Sequence, residues 1–524
     1  MQKEKKVNFV YGISLLITIA IVLWCLFIPE NFEAVANYAF EVLTKKFGWL
    51  YMFSVAVFLI FSIWIGFSKY GKIRLGADDS KPDYSTVSWF AMLFSAGMGI
   101  GLIFWGVAEP LNHYLNPLGA DPATPLAAEF AMRTSFVHWT LHPWGIFTVM
   151  GLALAYVQFR RGKSGLISNV FIPLLGEERV NGWIGKTIDI LAVFATVAGV
   201  TTSLGLGTMQ INSGLNHLFG VPETHTAQVL IICVVSSMFI CSAVSGIDLG
   251  IKILSNINML LAFLLLAMAF IVGPSVMMLN SFAEGVGEYL QWVVRESFVV
   301  GAFQNNDWFA GWRVFYWAWW IAWAPFVGSF IARISKGRTI REFVIGVLLV
   351  PSLLSFIWFS VFGNMGINLG AEVAAEAIKT TSTAAFIVFA HYPLGVFMSG
   401  VTIALVCTFF VTSADSATFV LGIFTSEGDL NPGIRRKVVW GLVNASLALV
   451  LLLGSKNGLQ MLQTVSIVGA FPFIFILIGA SVAVYKYVSG ENLLTRSGLT
   501  LAGAGDDLSG QHLPVDPKVT AAGD

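Results

Sequence analysis

Four indoles fall within seven residues in the run Tyr316-Trp317-Ala318-Trp319-Trp320-Ile321-Ala322-Trp323-Ala324-Pro325. Core packing does not require that density. An indole face is the best side-chain partner for a quaternary ammonium, because the ring quadrupole attracts a cation that has no N–H to donate. The plainer alternative is an aromatic belt at the membrane–water interface. The run sits midway along its apolar segment rather than at an end, which favours a cation trap inside the membrane.

Three further strings carry chemistry. In Ser95-Ala96-Gly97-Met98-Gly99-Ile100-Gly101 the three alternate glycines each cost a helix about 1 kcal/mol relative to alanine. The pattern predicts either close packing through small residues or an unwound stretch at the membrane midplane. Freed carbonyls there ligate a cation and freed amides meet an anion. In Phe409-Phe410-Val411-Thr412-Ser413-Ala414-Asp415-Ser416 the hydroxyls either bond their own helix or form a hard, oxygen-only site for an alkali ion. An intramembrane carboxylate such as Asp415 is expensive and reads as functional; it ligates indirectly, holds the hydroxyls, or caps a helix break. In Phe136-Val137-His138-Trp139-Thr140-Leu141-His142-Pro143-Trp144-Gly145-Ile146-Phe147, Pro143 disturbs the turn between Trp139 and Trp144. Trp144 and Phe147 share a helix face. His138 and His142 stand at i, i+4, but no third ligand is visible, so structural histidines are the preferred reading over a metal.

The elements that position these strings follow from composition. The chain of 524 residues is 56% hydrophobic and 11% charged, with mean hydropathy +0.77. Soluble domains average about 25% charged, so this is a polytopic, all-α membrane protein. Zero formal net charge gives no reason to expect a nucleic-acid partner. Cys25, Cys233, Cys241 and Cys407 all fall in apolar segments and read as small buried hydrophobes.

A span needs about 20 mostly apolar residues. Twelve candidates run near 8–28, 48–68, 89–108, 136–157, 187–210, 227–245, 257–278, 311–332, 342–362, 396–423, 438–454 and 465–487. Placing the N-terminus inside puts 23 of the 30 Lys and Arg residues on the inner side and seven outside, which predicts both termini in the cytoplasm. The outer segment 279–310 mixes apolar and acidic residues; it reads as a surface-lying amphipathic helix or an ordinary structured loop. The tail 488–524 is rich in Gly, Ala, Asp and Ser and has a disordered composition. Enzyme motifs are absent: Gly185-Lys186-Thr187 ends like a phosphate-binding loop, but Val180 stands where its upstream glycine is required. No HExxH or GxSxG string occurs.

Together the strings SAGMGIGLIFWGVAEP, HWTLHPW, FYWAWWIAWAPFVGSFIARISKGRT and FFVTSADSATFVLG resemble the betaine/choline/carnitine transporter family across all twelve spans. The resemblance implies a leucine-transporter-type fold: two peripheral helices in 1–88, then inverted repeats of five helices each in 89–278 and 311–487. It implies a homotrimer, with the outer amphipathic helix at the contact region. It implies an aromatic box of Trp139, Trp144, Phe147 and Trp320, with Trp319 and Trp323 beside it or on the access path. Backbone amides of Gly97, Gly99 and Gly101 and indole N–H groups would meet a carboxylate. One sodium would take the carbonyls of Ser95, Met98 and Phe409 and the hydroxyls of Thr412 and Ser413. A second would lie near Thr196 and Phe326; there the chain departs from the pattern, because Phe147 stands where sodium-coupled members often carry tyrosine.

The implied function is import of a quaternary-ammonium compatible solute, glycine betaine first, by sodium symport and alternating access across the cell membrane. Sodium-independent carnitine or betaine exchange and proton-coupled choline uptake stay open, as does a cation channel with Asp415 lining its pore. No cofactor is expected beyond sodium as the coupling ion.

Overall fold

A computed structural model describes residues 8–97, 99–245, 248–303, 306–455 and 457–496. Among these residues the backbone is helical, with a single isolated antiparallel bridge between Arg74 and Thr339 and no strand. That follows from the apolar sequence: in hydrocarbon every backbone N–H and C=O must be satisfied within the protein, which helices do locally.

Eleven described helices are long and apolar enough to cross a membrane, and two bent pairs raise the possible count to thirteen. Helix α1 is Phe9–Phe27 and α2 is Pro29–Phe67. The third expected span is a pair, α3 (Thr86–Gly97) and α4 (Ile100–Leu115), bent by 62°; Met98 lies outside the described residues. Helices α5 (Pro125–Trp139) and α6 (Leu141–Ala155) follow, then α7 (Trp183–Phe219), α8 (His225–Ser245) and α9 (Asp248–Val272). Outside the core, α10 (Ser275–Phe298) precedes α11 (Phe315–Ile334) and α12 (Ile340–Ile367). The second bent pair, α13 (Gly370–Ala377) and α14 (Ala384–Ala390), turns by 118°. Helices α15 (Gly395–Phe424), α16 (Ile434–Leu453) and α17 (Gly458–Arg496) complete the bundle.

Several expected boundaries move. Helix α2 begins 19 residues before the expected 48, because Glu30, Glu33, Glu41, Lys45 and Lys46 lower hydropathy without breaking a helix. The Glu41–Lys45 pair at 2.7 Å supports that polar half. Helix α17 runs past Tyr487 to Arg496, so the first residues of the expected disordered tail are helical. Glu491 explains this: it accepts hydrogen bonds from the Tyr156 hydroxyl and from Arg160 Nε, the latter at 2.6 Å. Residues 497–524 lie outside the described residues.

The outer segment resolves as a helix. Tyr289 and Ser297 of α10 are buried, while Val276, Leu290 and Val294 are exposed together with Glu284, Gln291 and Arg295, so one face packs on the bundle and the other is open and of mixed polarity. The cysteines are a correction: Cys25 is buried, but Cys233 and Cys241 are exposed and Cys407 is intermediate. An apolar segment in a bilayer protein can face hydrocarbon as readily as the protein interior.

The core forms where α11 packs against α6, α7 and α17, α15 packs against α7 and α9, and α4 packs against α5 and α12. The broken helices α3/α4 and α5/α6 and the tryptophan-rich α11 therefore meet in the middle of the bundle.

Candidate substrate and ion site

Two helix breaks prepare the site. Gly99 is extended, at φ −167° and ψ 177°, and caps α4 without a side chain. Its carbonyl accepts from the amides of Leu102 at 3.1 Å and Ile103 at 3.4 Å. The amides of Ile100 and Gly101 precede that first bond and have no helical carbonyl one turn earlier, which leaves partial positive charge at this end of α4. Gly101 has a steric role: a Cβ there would lie 2.5 Å from Trp319 Cη2 and 3.2 Å from Trp139 Cη2. Only glycine lets both indoles close on this backbone.

The second break is at Thr140, φ −113° and ψ −120°. Its amide and hydroxyl both donate to the Phe136 carbonyl, at 3.0 and 2.6 Å. Pro143 falls in the first turn of α6, where a missing N–H costs nothing. Trp139 thus ends one helix and Trp144 lies in the first turn of the next.

These elements enclose a cavity of about 680 Å³. All six expected aromatic residues line it: Trp139, Trp144, Phe147, Trp319, Trp320 and Trp323. Trp320 is central. Its ring stacks on Trp319 at 4.8 Å and 15°, meets Trp139 edge to face at 4.9 Å and 75°, and faces Phe147 at 6.2 Å and 83°. Trp144 and Phe147 meet edge to face at 5.3 Å, as their spacing predicts. Among the described residues no Arg or Lys lines the cavity.

The indole N–H groups divide. Trp139 Nε1 donates to Glu109 Oε2 at 2.7 Å and Trp320 Nε1 to the His138 carbonyl at 2.9 Å. Neither is available to a solute carboxylate. Trp319 Nε1 and Trp323 Nε1 have no partner among the described residues and both rings line the cavity. Trp317 is fully buried, lies outside the cavity lining and stacks on His142 at 5.1 Å. Trp317→Phe, which keeps the stack, is therefore expected to leave the KM for solute within about 2-fold, measured by labelled uptake in proteoliposomes.

Oxygen-bearing residues share the cavity with these rings. Gly99, Gly101, Ser95, Phe409, Thr412 and Ser413 line the same cavity, while Met98 and the surroundings of Gly97 lie outside what is described. Thr412 Oγ1 lies 3.1 Å from the Thr408 carbonyl and 3.3 Å from the Phe409 carbonyl, and accepts from Asn258 Nδ2 at 3.1 Å. Asn258 is on α9, whose Ser255 and Asn256 also face the cavity. These polar residues are not legible in the sequence, because Asn and Ser at single positions in an apolar segment carry no spacing signal. Asp415 does not line the cavity; it accepts from Ser242 Oγ at 3.2 Å and links α15 to α8. Phe326 and Ser203 line the cavity, but Thr196 does not. The Thr196 hydroxyl donates to the Ala192 carbonyl of its own helix at 2.8 Å.

His138 and His142 do not share a site. His142 Nε2 pairs with Ser297 Oγ at 2.7 Å, and His138 Nδ1 with Glu109 Oε1 at 2.6 Å. Glu109 is the other residue the sequence reading missed. The signal was present: it is an intramembrane carboxylate, subject to the same argument as Asp415. At the edge of this cluster burial would raise the carboxyl of Glu296, but Arg313 and then Arg133 beside it bring it below the usual carboxylate range.

A helical membrane bundle enclosing such a cavity has the make-up of a solute transporter. The chain belongs to the betaine/carnitine/choline transporter family, whose sequence model matches residues 9–493. It is 47% identical over 491 residues to the glycine betaine transporter OpuD of Bacillus subtilis, covering 93% of this chain and 95% of that protein. A probable glycine betaine transporter of Desulfitobacterium hafniense is 44% identical over 94% of this chain and 99% of its own length. The ectoine/hydroxyectoine transporter of Virgibacillus pantothenticus is 43% identical over 91% and 96%. The relatives are transporters, and the chain is a transporter rather than an enzyme.

Proposed function

We propose that the chain imports a small quaternary-ammonium compatible solute, glycine betaine by preference, by sodium symport across the cell membrane. The observation that carries this reading is a single cavity lined both by the indole-bearing residues and by Thr412 and Ser413. The trimethylammonium group enters the box of Trp139, Trp144, Phe147 and Trp320, where each desolvated contact contributes about 0.5–2 kcal/mol. The solute carboxylate is met by the α4 N-terminus and by the unpartnered N–H groups of Trp319 and Trp323. Sodium is held by the Ser95 and Phe409 carbonyls and the Thr412 and Ser413 hydroxyls, drawing α3 and α15 together. Substrate and ion then tighten each other by the same factor.

In this reading both termini are cytoplasmic, residues 89–278 and 311–487 form inverted repeats that rock about the site, and three copies assemble around the 279–310 region. The 43% identity to an ectoine/hydroxyectoine transporter supports a second substrate, since ectoine also joins a delocalised cation to a carboxylate. The test is labelled betaine uptake into proteoliposomes under an inward sodium or potassium gradient. Uptake is expected with sodium only, and excess ectoine should compete more strongly than choline, which lacks the carboxylate. Equal uptake in potassium would overturn sodium symport and favour exchange.

A further inference from the structure

Behind the box lies a fully buried cluster that the transport cycle above leaves unused. Glu109 Oε2 accepts from Trp139 Nε1 at 2.7 Å and from the Tyr316 hydroxyl, while Glu109 Oε1 pairs with His138 Nδ1 at 2.6 Å. Glu109 and His138 are 0% exposed. On the far side of the imidazole, Arg313 Nε donates to His138 Nε2 at 3.2 Å. Arg313 Nη1 in turn donates to the Glu296 carboxylate at 2.7 Å and to the Glu296 carbonyl at 2.9 Å.

A guanidinium can only donate. His138 Nε2 must therefore present its lone pair to Arg313, which assigns the ring proton to Nδ1, pointing at Glu109. Both central indoles hang on this pair. Glu109 holds Trp139 through its side chain, and His138 holds Trp320 through its carbonyl at 2.9 Å.

A metal is the competing use of these residues. Ligand atoms of Glu109, His113 and His138 lie within 4.8 Å of one another; His113 Nε2 stands 3.4 Å from Glu109 Oε1, and neither ring nitrogen of buried His113 makes a hydrogen bond among the described residues. The donor set does not fit. A metal on His138 Nδ1 would move the proton to Nε2, where it would meet the Arg313 N–H head-on, and the ion would sit beside a fixed guanidinium.

The geometry points to Glu109 as the positioning residue of the aromatic box: its carboxylate, facing a His138 proton that Arg313 pins in place, sets the ring of Trp139 and through it the affinity for the quaternary ammonium. The inference rests on the reading of the box as the substrate site. It has a specific chemical consequence, because an amide cannot replace this carboxylate. With its oxygen toward Trp139 and Tyr316, a glutamine turns its NH₂ toward the His138 N–H, donor against donor. The imidazole cannot switch tautomer while Arg313 occupies Nε2. A buried group left in that state costs far more than one lost hydrogen bond.

The test measures betaine KM in proteoliposomes holding the full chain, alongside sodium binding without betaine. Glu109→Gln is expected to raise the KM roughly 10-fold or more, the worth of one or two desolvated cation–π contacts, with sodium-only binding unchanged. Adding Arg313→Met frees His138 to accept from the amide, so the double variant is expected to recover most of the lost affinity. That rescue is the outcome a merely structural carboxylate would not produce. Glu109→Asp keeps the carboxylate one methylene short and is expected to fall between wild type and Glu109→Gln; it carries the test if Glu109→Gln is not recovered as a monodisperse protein. A wild-type KM in Glu109→Gln or Glu109→Asp, or a double variant no better than Glu109→Gln, overturns the inference. The two readings separate cleanly. If Trp320→Ala raises the KM while Glu109→Gln is silent, only the positioning role fails; if Trp320→Ala is silent, the box itself is wrong.

Discussion

Trp320→Ala is expected to raise the KM for betaine by roughly 30-fold, the larger end of a desolvated cation–π contact at about 2 kcal/mol. The size of the effect follows from where the ring sits. Trp320 meets two other box rings, crossing Trp139 at 4.9 Å and meeting Phe147 at 6.2 Å, and stacks on the flanking Trp319 at 4.8 Å. Its removal takes away one wall and frees the edges of two others. Trp320→Phe should fall between, because it keeps an aromatic face but gives up the bond from Nε1 to the His138 carbonyl. The measurement is concentration-dependent uptake of labelled betaine at saturating sodium. A wild-type KM in Trp320→Ala would remove the box from the substrate path. The contrast with Trp317→Phe sharpens the result: two residues of the same run, three positions apart, are expected to differ by more than an order of magnitude because only one faces the cavity.

Loss of both α15 hydroxyls, in Thr412→Ala with Ser413→Ala, is expected to raise the sodium concentration for half-maximal uptake at least 10-fold. Each contact to a charged partner contributes about 1.5 kcal/mol or more, and 1.4 kcal/mol is a factor of ten. By reciprocal coupling the betaine KM at limiting sodium should rise with it and return toward wild type when sodium saturates. Thr412→Ser keeps the oxygen and should stay close to wild type. A sodium curve that does not move in the double variant would sink the assignment of the ion site to α15. Asn258 gives this experiment a second reading: it donates to Thr412 Oγ1 at 3.1 Å, so losing Thr412 also strands a buried amide of α9. Asn258→Ala, which leaves the Thr412 oxygen in place, separates the two contributions.

The membrane-spanning segments were legible because hydropathy is a property of about 20 consecutive residues, and the bilayer imposes that length. Their ends were not. Helix α2 extends through Glu33, Glu41 and Lys45, since a charge lowers hydropathy yet is a good helix former. The end of α17 depends on Arg160 and Tyr156 holding Glu491, partners more than three hundred residues away. Exposure was equally non-local, as Cys233 and Cys241 show.

The same division runs through the site. Glycines spaced to break α3 from α4, indoles suited to a cation and adjacent hydroxyls suited to an alkali ion are matters of residue type and near neighbours, and the sequence alone determined them. It also determined the family, because those strings occur together. The tertiary structure decided which groups remain free to act. It placed the four box aromatics and the flanking Trp319 and Trp323 on one cavity with Thr412 and Ser413, committed the N–H groups of Trp139 and Trp320 to Glu109 and His138, and left those of Trp319 and Trp323 without a hydrogen-bond partner among the described residues. It turned Thr196 back onto its own helix and bonded Asn258 to the Thr412 hydroxyl. The physical reason is that a hydrogen bond within about 3 Å depends on how whole helices pack. Packing is set by contacts between residues far apart in the chain, which no local pattern records.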